Sequence, residues 1–484
     1  MRRAFDIRKA VFVAAAFCGA FAFPAAAGDG SVSVDFTRAV ARVKPLHGVN
    51  RAPMRLEHKG GLGERDRQRE FEEAGIPFVR LHDVGGAWGG THYVDIPNVF
   101  PNFAADESDP ASYDFTFTDA FLKPIVKAGC KLVYRLGVTI ENNCDIKAYT
   151  THPPPDFAKW ARICEHVVMH FNEGWADGFR WGIEYWEIWN EPEGRGNWRG
   201  TQQQFFELYR IAANHLKGRF PGIKVGGYGA LGFYAVDQPD HPRYGVNGRT
   251  NTTKYAEDFM EYITAPATKA PLDFFSWHLY VRNGFKPERI VVHADHCRRM
   301  LDRHGFTAAE CIFDEWNFID DINIDAKWPK DWDGVKEMKS AASVVAAFAL
   351  MQRSPIDKAM YYCALPTSGY CGLFYFPSMR TTPCYEAFRI WNELYRLGGE
   401  AGVKCSGNDI YAAAATDGTN GVFYVVNNSA AAKSVDVGLA GATGPFALRR
   451  LDEDHRALSA AGSWSAGEPL SLPPRGVAVV SCSR

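Results

Sequence analysis

Between residues 46 and 397 the chain repeats one pattern eight times: a short apolar run rich in β-branched and aromatic residues, a polar loop, then a longer stretch of helical periodicity. The apolar runs fall at 46–50, 78–83, 131–136, 185–190, 223–227, 274–279, 311–315 and 359–364. The segment after the fourth shows the helical component, with a capping box at Thr201-Gln202-Gln203-Gln204 and Phe205, Leu208, Ala212 and Leu216 on one face. Strands alternating with helices make a parallel sheet, and eight such units in succession predict an α/β fold closed as a (β/α)8 TIM barrel rather than an open doubly wound sheet. After Gly398-Gly399 the composition shifts to Gly- and Ala-rich stretches with short alternating runs at 410–415, 422–427, 434–439, 446–451 and 476–482. These predict a C-terminal β-sandwich over 398–484, to which 31–36, within an N-terminal segment 28–45, adds a possible strand. A structural accessory is the reading favoured for this domain over a separate sugar-binding one, because it carries no dense aromatic strip.

Residues 1–27 do not belong to this pattern. Arg2, Arg3, Arg8 and Lys9 precede the apolar stretch 11–23, which ends in Pro24-Ala25-Ala26-Ala27. That arrangement reads as a secretory signal peptide cleaved near Ala27, its apolar part shorter than the roughly 20 residues of a membrane span. The expected location is therefore secreted or periplasmic, with no membrane partner. The formal charge of −2 becomes more negative once the basic leader is lost, which argues against nucleic acid as a partner. Of eleven cysteines, Cys18 leaves with the leader. Export would permit disulfides, with Cys297–Cys311 and pairs among Cys363, Cys371 and Cys384 as candidates and buried free thiols as the alternative. Nothing in the Cys and His spacing matches a zinc site, so neither metal nor cofactor is expected.

Barrels of this kind place their active sites at the C-terminal ends of the strands. Six of the eight runs carry a conspicuous polar residue there: Asn50; Arg80 and His82; Arg135; Asn190 and Glu191; His278 and Tyr280; Glu315. Loops at 84–113, 316–334 and 366–380 are long enough to shape a pocket. They bring Trp88, Phe100, Trp328, Trp332, Tyr370, Phe374 and Tyr375, either as platforms for sugar rings or as packing within a lid. The most specific run is Trp186-Glu187-Ile188-Trp189-Asn190-Glu191-Pro192-Glu193. Alternation points Glu187 and Glu191 the same way at different depths, Pro192 favours extended geometry at Glu191, and Trp186 and Trp189 offer apolar surroundings that raise a carboxyl pKa. In Phe313-Asp314-Glu315-Trp316-Asn317 two acids compete for the inward position, and the strand phase from Phe313 selects Glu315. Two carboxyls from the fourth and seventh strands of one barrel are what hydrolysis of a glycosidic bond requires.

Together with Val79-Arg80-Leu81-His82 and Ser276-Trp277-His278-Leu279-Tyr280, these two motifs resemble glycoside hydrolase family 39, the β-xylosidase and α-L-iduronidase group of the clan that also holds families 5, 10 and 51. The resemblance covers roughly 46–397. It implies a retaining mechanism with Glu191 as general acid/base and Glu315 as nucleophile. It also implies that Asn190 bonds the sugar 2-hydroxyl, that Tyr280 bonds the nucleophile, and that His82 and His278 line the innermost subsite. Arg80, Trp316 and Asn50 complete the expected substrate-binding set. The implied activity is exo-acting and β-xylosidase-like on an oligosaccharide or polysaccharide; an endo-acting glycanase of the same clan and a catalytically inactive carbohydrate-binding protein are the alternatives. Strand eight departs from the resemblance, ending Tyr361-Tyr362-Cys363-Ala364 where many relatives have tryptophan. For an iduronide carboxylate only Arg80, Arg135, Arg282 and Arg380 are nominal partners.

Overall fold

The computed structural model describes residues 28–52, 67–84, 92–140, 151–282, 286–319, 333–366 and 369–483. Residues 1–27, read above as a signal peptide, lie outside them together with Trp88, Trp328 and Trp332. A first strand, β1 (Gly30–Arg42), precedes the barrel, which is built from β2 (Gly48–Asn50), β3 (Phe78–Leu81), β4 (Lys131–Leu136), β5 (Tyr185–Ile188), β6 (Lys224–Ala230), β7 (Phe274–Arg282), β8 (Glu310–Ile319) and β9 (Lys358–Tyr361). Each strand pairs in parallel with the next, and β9 pairs back onto β2 to close the ring. The eight strands are buried almost throughout, as a parallel sheet covered by helices outside and side chains inside must be. Those helices include Phe157–Asn172, Gln202–Arg219 and Met338–Gln352, the second opening on the Thr201–Gln204 capping box.

Three strands run past their predicted ends, and the excess positions the site. β8 continues to Ile319, so Trp316 is inside a strand rather than at the start of a loop. Its pairing with β7 skips a residue: Trp277 faces Phe313, but His278 faces Glu315. Asp314 is the extra residue of a β-bulge, a device that re-aims side chains beside active sites. Strict alternation would place Glu315 on the face of Phe313, and Phe313 packs outward, stacked on Trp277 and Trp316. The bulge breaks that phase, turning Asp314 and Glu315 both inward and returning Trp316 to the outer face against Phe348 and Tyr361.

The chain leaves the barrel through the helix Pro383–Leu397 and enters β10 (Gly399–Ser406), β11 (Ile410–Thr416), β12 (Asn420–Asn427), β13 (Lys433–Ala440), β14 (Thr443–Leu451), β15 (Ser459–Trp464), β16 (Leu470–Leu472) and β17 (Val477–Ser483). With β1 these form one nine-stranded sheet in the order β15-β14-β17-β12-β11-β10-β1-β13-β16. The N-terminal strand sits inside it, antiparallel to β10 and parallel to β13, with Val32, Val34 and Phe36 alternating into the core. The nine described cysteines are all free, eight of them buried, so none of the candidate disulfide pairs is formed. Among the described residues no helix is long and apolar enough to cross a membrane.

Candidate active site

Arg80, in the middle of β3, organises the barrel mouth. It is fully buried, and its guanidinium reaches residues on or just past three other strands. Nε donates to Glu187 Oε2 at 2.7 Å and lies 2.9 Å from Asp314 Oδ2. Nη1 donates to Glu315 Oε2 at 3.1 Å and to Asn50 Oδ1 at 3.2 Å, and Nη2 to Asn190 Oδ1 at 2.6 Å. Three carboxyls around one cation cannot all be ionised in a dry interior without large cost. Burial pushes Asp314 well above the ordinary range, the neighbouring Glu187 adding to this against the pull of Arg80. Burial also opposes ionisation of Glu187, but there Arg80 and hydrogen bonds from Asp314 and Ser276 prevail and lower its pKa. Of the two, Asp314 is the one whose neutral form is favoured.

Above this layer lie Glu191 and Glu315. Glu315 keeps 6% of its surface exposed and accepts a hydrogen bond from the Tyr280 hydroxyl at 2.6 Å. Burial raises its pKa, while Arg80 and Tyr280 pull it back. Glu191, 9% exposed, has Oε1 2.8 Å from His278 Nδ1 and accepts from Asn197 Nδ2 through Oε2 at 3.2 Å. One oxygen of each carboxyl and a nitrogen of His278 all lie within 4.8 Å of one another. Burial, reinforced by Arg80, drives the His278 pKa far down, so the ring between the two acids is neutral.

The route to Glu191 differs from the expected one. Its φ is +47° and that of Trp189 is +73°, both in the left-handed region, although a residue before proline favours extended geometry. Such conformations cost of order 1–3 kcal/mol and persist where surroundings over-determine them. Here the Glu191 N–H donates to Gly229 O, the Trp189 N–H to Leu136 O and the Trp189 indole to Asn197 O. Gly229 in turn has φ +62°, and a Cβ there would stand 2.9 Å from Arg80 Nη2 and 3.0 Å from His278 Nε2, so only glycine fits beneath the site. Trp186 does not surround Glu191; it stacks on Tyr134 in the core.

A cavity of about 260 Å³ opens over the two acids, walled by His82, His278, Tyr280, Tyr234, Tyr362 and Tyr370 among others. Of the predicted set, Glu191, Glu315, His82, His278 and Tyr280 come together on it. Asn190 lies just beneath, its Nδ2 without a partner, as is His82 Nδ1. Three assignments are corrected. Asn50 spends both amide hydrogens on Asp314 O and Met360 O and its oxygen on Arg80, leaving nothing for a sugar. Arg80 is sealed below the carboxyls, and Trp316 faces the helix layer. Both braces, Asn50 and Arg80, act through the acids they hold. Of the lid aromatics, Tyr370 reaches the pocket, whereas Phe374 is fully buried and the Tyr375 hydroxyl meets Arg456. Sequence reasoning missed Tyr234, Arg243 and Tyr244, which come from the segment after β6; its cluster of Gly, Pro and polar residues at 237–251 was the available signal.

Residues 71–317, a stretch holding β3 through the bulge of β8 and both mouth glutamates, match the family described as glycosyl hydrolases family 39. The chain belongs to that family. Among curated proteins, a β-xylosidase from Geobacillus stearothermophilus is 29% identical over 134 residues, 26% of this chain and 21% of that protein. Another from Caldicellulosiruptor saccharolyticus is 24% identical over 165 residues, covering 32% and 31%. The matched segments therefore span between a fifth and a third of those relatives' lengths. Among solved structures, a glucosidase from Croceicoccus marinus superposes with TM-score 0.70 at 22% identity, covering 94% of this chain and 99% of that one. A family 39 β-xylosidase from Caulobacter crescentus gives 0.64 at 18%, covering 94% and 100%. An α-L-arabinofuranosidase from Thermotoga maritima gives 0.64 at 13% with the same coverage. These likenesses extend the family 39 fold across the C-terminal sheet as well as the barrel.

Proposed function

We propose that the protein is a retaining, exo-acting glycosidase of β-xylosidase-like specificity, with Glu315 as nucleophile and Glu191 as general acid/base. The observation that carries this reading is the approach of the two carboxyls to within 4.8 Å. Retaining enzymes hold the pair about 5–5.5 Å apart so that one attacks the sugar directly, whereas inverting ones leave about 6.5–9.5 Å for a water. Glu315 attacks the anomeric carbon while Glu191 protonates the departing oxygen. Glu191, then ionised, takes a proton from the water that cleaves the glycosyl ester. Loss of the Glu315 charge in the intermediate removes like-charge repulsion and lowers the Glu191 pKa between the two steps. Tyr280 and Arg80 orient Glu315, and the free Asn190 amide offers a donor to a ring hydroxyl. A cavity of about 260 Å³, small for a ligand site, suits one terminal sugar and supports exo action. The two curated relatives support xylose as the first sugar to try.

A panel of nitrophenyl glycosides covering xyloside, arabinosides, glucoside, galactoside and iduronide tests the specificity. The substitution Glu315→Gln should lower turnover of the hydrolysed member at least 10⁴-fold, a loss of about 5.5 kcal/mol of transition-state stabilisation, while sugar binding persists. Retention of wild-type turnover by that variant would remove Glu315 as nucleophile.

A further inference from the structure

The cations at the barrel mouth divide into two groups according to which acid they accompany. Among the described residues, each guanidinium near Glu315 has a carboxylate partner. Arg80 has the partners described above, Arg51 Nη2 donates to Asp83 at 2.8 Å, and Arg135 Nη2 donates to Asp95 at 2.6 Å. Among the described residues the cations nearest the nucleophile are thus already paired with carboxylates, which speaks for a neutral glycone. The same pocket is lined by Arg243 and Arg282, and among the described residues neither side chain makes an ion pair or hydrogen bond. Arg243 lies flat over Tyr244, its guanidinium carbon 5.0 Å from the ring centroid. Tyr244 and Tyr234 are both within electrostatic reach of Glu191 and of Arg282, so these arginines flank the general acid. Arg282 also borders a second cavity of about 350 Å³, where among the described residues Lys286 is paired with Asp409 at 3.3 Å and Arg475 is bonded to Asn428.

Glu191 delivers its proton to the departing oxygen, so whatever surrounds Glu191 on the side away from Glu315 surrounds the leaving group. We infer that Arg243 and Arg282 form a leaving-group subsite for a carboxylate-bearing sugar, so that the natural substrate is a neutral terminal sugar linked to a uronic acid. A guanidinium fork matches a carboxylate geometrically, and a half-buried one loses less of that pairing to solvent than an exposed one does. A structural reading of the same arginines, as braces for the loop after β6, would give them loop carbonyls or carboxylates as partners.

This inference rests on the glycosidase reading, and the experiment separates the two. Glu315→Gln protein, which holds substrate without turning it over, is titrated calorimetrically with three disaccharides that share the terminal sugar identified on the aryl panel. The second unit is glucuronic acid, glucose or glucose 6-sulfate. The glucuronic acid compound should bind at least tenfold more tightly than the glucose compound in 50 mM NaCl, with the ratio shrinking in 500 mM NaCl. Adding Arg282→Gln or Arg243→Gln should bring that ratio towards one. Equal affinities for the acidic and neutral compounds, or an unchanged ratio in both arginine variants, overturn the subsite. Tighter binding of the sulfate than of the uronate overturns the carboxylate assignment. Failure of the aryl panel to yield any hydrolysed glycoside overturns the glycosidase reading instead.

Discussion

At the level of single residues, the site is a stack of acids around one buried cation, and each acid's protonation follows from its depth. Glu187 and Asp314 sit lowest, the first lowered by Arg80 and the second raised by burial; Glu315, one layer up, is raised by burial and restrained by Arg80 and Tyr280. The proposed nucleophile must be ionised, and a raised pKa keeps the protonated form to higher pH, so activity should be lost as pH falls through a value above the ordinary 4.5. Tyr280 is itself held protonated, its pKa raised by burial and by Glu315, and so remains a donor throughout that range. Removing the donor with Tyr280→Phe takes away an interaction that favours the charged form of Glu315. The acid limb of kcat/KM should therefore move to higher pH, with the alkaline limb in place; an acid limb that stays still or moves down would show that Tyr280 does not bear on the nucleophile's charge.

The elements show where the sequence was readable. Alternation of strand and helix revealed all eight barrel strands because each is a short apolar run between turn residues, and the run at β4 was bounded correctly at both ends. Strands β10, β15 and β16 escaped notice: Gly399–Ser406 and Ser459–Trp464 are mostly half-buried or exposed and carry Gly, Ser and charged residues, and Leu470–Leu472 is three residues long. The glutamates were legible because chemistry restricts what stands at a strand end. The side chains beside them were not, since a β-bulge leaves no signature in a period-two pattern and the choice of Glu315 over Asp314 rested on a phase that the bulge cancels. The same slip assigned Trp316 to the sugar. Being fully buried against Phe348 and Tyr361, Trp316 replaced by alanine should destabilise the fold by about 3–5 kcal/mol, read from denaturant unfolding, with sugar affinity per folded molecule preserved. A variant of full stability with weakened sugar binding would return Trp316 to the pocket.

Across the whole molecule, the sheet has a core of its own, and its other buried side chains join the hydrophobic core of the barrel. Tyr411, Val422, Tyr424 and Val426 of the sheet belong to the same buried cluster as Val344, Phe348 and Trp391 of the last two barrel helices. Polar ties cross the boundary: the Tyr424 hydroxyl donates to Val345 O at 3.0 Å, Arg353 Nη2 to Ala412 O at 2.7 Å, and Gln352 Nε2 to Glu400 Oε2 at 2.8 Å. The helix Met338–Gln352 is apolar nearly all round, as an element buried on both sides must be. The free cysteines fit this picture: burial pushes the Cys130 and Cys384 thiols up to about 12, so neither forms the thiolate that disulfide chemistry requires. A chain ending at Leu397 would expose the outer face of Met338–Gln352 and leave β1 without its partners β10 and β13. That truncation should aggregate or lose cooperative thermal unfolding, although every residue of the catalytic layer is retained, because the apolar area uncovered is part of the barrel's own core. Soluble, cooperatively folding protein from the truncated chain would mean that the sheet is a detachable module; its absence would assign the sheet to the stability of β8 and β9, and through the bulge on β8 to the placement of Glu315.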